Sequence, residues 1–366
     1  MLRFAVMCFR RRRLAETGKI PEGRRGEGDR VRAFDRRFAR ATRRLEHAET
    51  AVRLAGVHAL AGLADEWQDE RQACIDALCA YLRAPYEPPP DAGPPAAEQL
   101  AFGGSQEVHH TIISIITAHL RDNARVSWRG HDFNFTGARF DGGDFSGAVF
   151  SGGIVDFRDA VFSGGTLDFS GAVFSGATVD FTGAVFSGAA IDFTGATFSG
   201  GPLHFVSAVF SGGAVHFGDA TFSGATHYFI GAEFSGAAID FTGVTCSGGA
   251  LDFAGAVFSG GAVHFTGAAL SGGVIGFNGA EFSGTTAHFN DATFSGGTLD
   301  FTDAILSGGS LYFTDAKFSG TTVVFTGTTF SGGTVDFSDA TFSGRRGGLG
   351  KDIAADPPAG LLLPPA

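Results

Sequence analysis

The chain has 366 residues, with 56 Gly and 39 Phe against 4 Tyr and 2 Met, and a net charge of -11. No run of 18 apolar residues occurs, so no membrane span is expected. The cysteines Cys8, Cys74, Cys79 and Cys246 lack CxxC spacing, which points to a reduced cytoplasmic setting and not to a disulfide or zinc framework. Residues 1–50 carry 15 Lys/Arg against 7 Asp/Glu, whereas residues 150–342 carry only Arg158 and Lys317 against 16 acidic residues, a polarity that bears on partners and not on fold.

Residues 1–28 read as a basic, flexible arm. Met1 to Phe9 is apolar and Arg10 to Arg13 follow it, the reverse of the order in a signal peptide. The plain reading is a frayed start; the functional one is peripheral contact with anionic lipid or nucleic acid. Residues 29–125 then predict a helical head. Val31, Phe34, Phe38, Ala41 and Leu45 form one apolar stripe under an arginine-rich face, and the pattern continues to about Leu63, with a breaker near Gly56. Gln68 to Leu82 predicts another helix, with Ala73, Cys74, Ala77, Leu78 and Tyr81 inward. Residues 85–97 read as a Pro-rich loop, and Glu107 to Leu120 as a helix with Val108, Ile112, Ile115, Ile116 and His119 along one side. Cys74 and Cys79, five apart, suit core packing better than joint metal ligation. The adjacent His109 and His110 point to different faces.

From Phe150 to Phe342 inward-type positions recur every 12 residues, and a second series from Phe157 to Phe337 runs inside the first. Such self-similarity is the mark of stacked coils, in which each unit buries its apolar side only against its neighbours. Upstream, Phe135, Phe140, Phe145 and Phe150 are spaced by five, and Trp128 starts the winding. The inward candidates continue as Phe157, Phe162, Phe169, Phe174, Phe181, Phe186, Phe193, Phe198, Phe205, Phe210 and Phe217. In each face the Phe and the residue two before it share a side, as extended chain requires. Twelve residues cannot enclose such an interior but 24 can, so two units predict one four-sided coil, with a three-sided coil as the alternative. Four faces per coil over residues 126–344 give about nine coils, a rod roughly 43 Å long at strand spacing. Residues 345–366 read as a Gly/Pro-rich, disordered tail, which leaves the last coil without a cap and predicts end-to-end homo-oligomers.

Chemistry has few places to hide. The outward residues before the second-series Phe should stack 24 apart, in columns reading Asp168, Asp192, His216, Asp240, His264, His288, Tyr312, Asp336 and Asp156, Asp180, His204, Tyr228, Asp252, Gly276, Asp300, Val324. His216, Asp240, His264 and His288 are weak candidates for a divalent metal; the plain reading is a polar face where His relieves Asp–Asp repulsion. His227 falls where Ala or Val points inward and marks an irregularity, and Cys246, Leu270 and Leu306 are core variants of Phe. No Walker loop, HExxH or GxSxG elbow occurs, so neither an enzyme nor a cofactor is expected.

The metre at Ala138-Arg-Phe-Asp-Gly, Asp144-Phe-Ser-Gly and Ala148-Val-Phe-Ser-Gly resembles the pentapeptide-repeat family, whose unit is A-D/N-L/F-x-x. The resemblance implies a mainly β fold, a right-handed quadrilateral β-helix, although a two-residue insertion in every second face departs from the family's pattern. Val52-Arg-Leu-Ala-Gly-Val-His-Ala-Leu and Cys79-Ala-Tyr-Leu-Arg83 resemble the head of actinobacterial members, which often carry transmembrane helices that this sequence lacks. The rod's long flat faces, with serine, threonine and aspartate outside, suit a non-enzymatic scaffold for a protein partner. The resemblance implies the alternative, a DNA-mimicking binder of type II topoisomerase. DNA itself is not the expected partner.

Overall fold

Phenylalanine planes set the pitch of the rod. In a computed structural model, described for residues 25–84, 96–236, 238–343 and 360–363, the winding gives four parallel sheets of nine, nine, ten and nine strands. Strands pair 24 residues apart, as in Val185↔Val209 and Phe186↔Phe210, so the coil is four-sided. The first coil is tighter: Phe140 pairs with Phe162, 22 residues on. Each Phe then lies on its counterpart in the next coil, with Phe162 and Phe186 4.6 Å apart and 7° from parallel, and Phe186 and Phe210 4.6 Å apart at 6°. That spacing is the distance between hydrogen-bonded strands. Around one coil the rings meet at an angle, as Phe181 does with Phe186 at 6.0 Å and 53°. Trp128 and the fifteen Phe residues from Phe135 to Phe217 predicted inward are at most 3% exposed, and Phe133, which lies off the metre, is buried beside them.

Corners follow from the residue two after each second-series Phe. Gly183 and Gly195 sit there at φ 68° and 67°, and Asp159 and Asp219 take the same turn at φ 56°. A short polar side chain is the least costly substitute for Gly in the left-handed region. Where the two types are stacked, the Gly leaves room for the Asp: a Cβ on Gly183 would meet Asp159 Oδ1 at 2.7 Å.

The head comprises α1 (Arg25–Leu45), α2 (Thr50–Glu66), a 3-10 turn (Gln68–Glu70), α3 (Arg71–Leu82) and α4 (Ala96–Leu120). The break expected near Gly56 lies instead between Leu45 and Thr50, where His47 Nδ1 accepts the Glu49 N–H. Gly56 is a contact glycine: a Cβ there would stand 2.9 Å from Arg44 Cβ and 3.0 Å from the Ala41 carbonyl, so it lets α2 close on α1. The helix expected from Glu107 begins at Ala96, and residues 85–95 of the Pro-rich loop lie outside the described residues, as does the arm up to residue 24. Among the described residues no helix is long and apolar enough to cross a membrane.

Helices α3 and α4 cover the open edge of the first coil. Arg71 donates to the Ser127 carbonyl at 3.0 Å, Gln72 to Asp132 O at 2.8 Å, Thr117 to Asp144 O at 2.7 Å and Arg121 to Ser146 O at 3.0 Å. These side chains satisfy acceptors that a preceding coil would otherwise satisfy. Trp128 closes the seam, donating Nε1–H to Asp65 at 3.1 Å and stacking on His119 at 4.0 Å.

At the other end the last coil is capped on one sheet, against the expectation of no cap, while residues 344–359 of the tail lie outside the described residues. Leu361–Leu362 adds a tenth strand to one sheet, pairing Val335↔Leu361 and Asp336↔Leu362. Leu361 is buried and Leu363 packs on the core, because a short apolar run can seal the last rings where no further coil does. The other three sheets end at Thr322–Val324, Thr329–Phe330 and Thr341–Ser343, with no strand beyond them among the described residues.

Replacing Phe186 by Ala removes one ring from a continuous stack and should cost about 3–5 kcal/mol in chemical denaturation. A loss below about 1 kcal/mol would contradict the inward stack.

Candidate functional site

The walls of the rod are the surfaces that could do something, and their outward side chains are aligned by the same register. Asp192↔His216, His216↔Asp240, Asp240↔His264, His264↔His288, His288↔Tyr312 and Tyr312↔Asp336 are direct neighbours on one sheet. On the opposite sheet His204 pairs with Tyr228 and stacks on it at 5.0 Å.

The aspartates are committed to the corners. Asp168 Oδ1 accepts the Ser170 N–H at 2.7 Å, Asp180 that of Thr182 at 2.9 Å, Asp192 that of Thr194 at 2.8 Å and Asp240 that of Thr242 at 2.9 Å. This Asx turn folds the chain through the corner that follows. The recurring Asp-Phe-Ser/Thr triplet carried that signal, which periodicity alone does not convey. Asp156 is the buried member of the series. Burial would raise it, but hydrogen bonds from the Arg158 side chain and backbone hold its carboxyl below the usual range.

The register brings the four metal candidates together without making them converge. His264 and His288 stack 5.1 Å apart with ring planes 5° from parallel, and His288 continues onto Tyr312 at 5.7 Å. Parallel rings direct their nitrogens side by side, whereas a zinc ion needs each donor about 2 Å away and aimed at one point. His216 Nδ1 stands 4.0 Å from Asp240 Oδ2. Burial, and then the charge on His264, lower the pKa of His288. No group of three His, Cys, Asp or Glu among the described residues could hold a metal ion.

Inside the rod, His227 is 1% exposed, and its Nδ1 accepts the Leu203 N–H at 3.3 Å from the coil below. Its ring stands edge-on to Phe222 at 4.9 Å. Cys246 occupies the ring position between Phe222 and Leu270, and burial pushes its thiol up to about 12, far from a nucleophile's range. Cys74 and Cys79 are likewise buried in α3 and raised to about 12, first by burial and then by Asp76. In the head, burial lowers His109 to about 4, while a hydrogen bond donated by His110 Nε2 to Asp141 Oδ1 raises that neighbour.

The geometry defines a four-sided parallel β-solenoid closed at one end by helices. A family model described as pentapeptide repeats matches residues 135–179 and 253–305 in nine copies. Over those two segments the solenoid carries pentapeptide repeats. One similar solved structure is that of QnrB1, a plasmid-mediated fluoroquinolone resistance protein. It is 18% identical, covers 49% of this chain and 82% of that chain, and has a TM-score of 0.13, too low for a shared superposition. No curated protein matches the chain.

Calorimetric titration with zinc and nickel should give only heats of dilution. A saturable heat that vanishes in the His216→Ala/His264→Ala variant would establish a metal site. A second prediction concerns acid. His227 is lowered from 6.5 to about 4, by burial and then by His204, so the unfolded chain takes up its proton first as pH falls. The stability held above pH 6.5 is lost progressively towards pH 4, by roughly 3 kcal/mol for this group. Equilibrium denaturation of His227→Val across that window should show a correspondingly shallower loss; an unchanged slope would contradict it.

Proposed function

We propose that this protein is a non-enzymatic scaffold whose rod presents flat sheet faces to a protein partner. The supporting observation is the wall itself. Outward side chains run in straight columns one strand apart, with the aromatic ladder His264–His288–Tyr312 on one face and His204–Tyr228 on the opposite one. Fixed columns offer a partner a rigid, low-entropy surface. The carboxylates along them serve corner turns, and the thiols are buried and protonated, so neither supplies an acid–base pair or a nucleophile.

A second reading rests on charge. Residues 150–342 carry 16 acidic and 2 basic side chains, a net of -14, which favours a partner that ordinarily grips DNA, such as a type II topoisomerase. Against it stands the basic head, where Arg36, Arg40, Arg43 and Arg44 lie exposed along α1. That arginine face suits peripheral contact with anionic lipid in a cytoplasmic setting. End-to-end association belongs to this proposal only through the three sheets that the tail strand leaves open.

Crosslinking pull-down from cytoplasmic and membrane fractions should recover a discrete partner with the wild-type rod and lose it with His264→Ala/His288→Ala/Tyr312→Ala. Equal recovery with both would remove the ladder face from the proposal. A gyrase supercoiling assay, with and without quinolone, separates the second reading: inhibition or protection supports it, and inertness rejects it. Light scattering that shows a monomer at all concentrations would remove end-to-end association.

A further inference from the structure

Between coils, where Cys246 stands in place of a Phe ring, a partly open cavity of about 10 Å³ is lined by Phe222, His227, Cys246, Leu251, Leu270 and Ile275, with Gly248, Gly272 and the exposed Val274 on its outer side. We infer that this cavity binds a single ordered water molecule, which accepts a hydrogen bond from His227 Nε2.

Three observations carry the assignment. First, His227 Nδ1 accepts the Leu203 N–H, so in the neutral imidazole the proton sits on Nε2, which is a donor. Second, Nε2 is fully buried and has no protein partner, although a buried donor left unmade is costly. Third, the space is about one water in size. A cavity needs roughly 10–15 Å³ to admit one water, and a polar lining to keep it. The Cys246 thiol, protonated at neutral pH, lines the same space and adds a second polar group.

The cavity also has a structural cause. In this column Phe222 is followed by Cys246 and Leu270 before Phe294 restores the ring, while the adjoining inward column changes from Leu203 to His227 to Leu251. Loss of ring volume beside the inward imidazole leaves a space that His227 lines. A soft metal ion fits the same residue types but not their states. It would require Nε2 without its proton, which transfers that proton to Nδ1 and breaks the Leu203 bond, and it would require a thiolate at Cys246.

A crystal structure of the full chain at about 1.2 Å, with data collected across metal absorption edges, tests this directly. The expected result is one spherical density peak about 2.7–3.2 Å from Nε2 with no anomalous signal, together with a slowly exchanging Nε2–H resonance that shows a water cross-peak in ¹⁵N-histidine NMR. An empty cavity, an Nε2–H donated to Cys246 Sγ, or an anomalous peak would overturn the assignment. His227→Val, with the residue type already present inward at Val179 and Val215, should fold and lose the peak; a water that persists there would show that Nε2 does not hold it.

Discussion

Parallel stacking of aromatic rings at strand spacing is the constraint from which the rest of this molecule follows. A Phe ring lying flat on its counterpart fills the coil interior and matches the hydrogen-bonded rise between strands, so side-chain and backbone periods are the same length. Once the rings are inward, the residue immediately before each second-series Phe is outward and the residue two before it is inward. Turn chemistry, surface columns and core volumes are all phases of one repeat.

Such a construction has two ends and few irregularities, and these hold its individuality. The head satisfies the first coil's acceptors with side chains from two helices and ties itself to the rod through Trp128, Asp65 and His119. The far end is closed on one sheet by Leu361–Leu362. Between them the ring columns are interrupted by Cys246 and Leu270 on one face and Leu306 on another, and the imidazole of His227 lies beside the first interruption.

Periodicity made the four-sided coil, the inward rings and the outward columns legible before any coordinate, because a repeat states its own contacts. What it did not convey was local or long-range. The Asp side chain's bond to the backbone two residues on is a turn feature that alternation of apolar and polar residues does not report. Gly56 reads as a breaker in one helix, and its use is evident only once a second helix lies against it. The Trp128–Asp65 bond spans 63 residues of unlike sequence, and the closing strand follows a stretch without metre. The 24-residue spacing stacks the outward His/Asp column, but it carries no ring orientation, which is the property that decides ligation.

The tighter first coil has a consequence for how the chain finds its place. Most coils are near-copies, so sliding the winding by one full turn exchanges one ring stack for another at little change in free energy. Phe133 and Phe140 pair over a 22-residue step that no later coil repeats among the described residues, and helices α3 and α4 bond to that coil. The head end is therefore a counting origin. It gives a nearly uniform polymer one correct frame, and each later coil inherits its address from the one before.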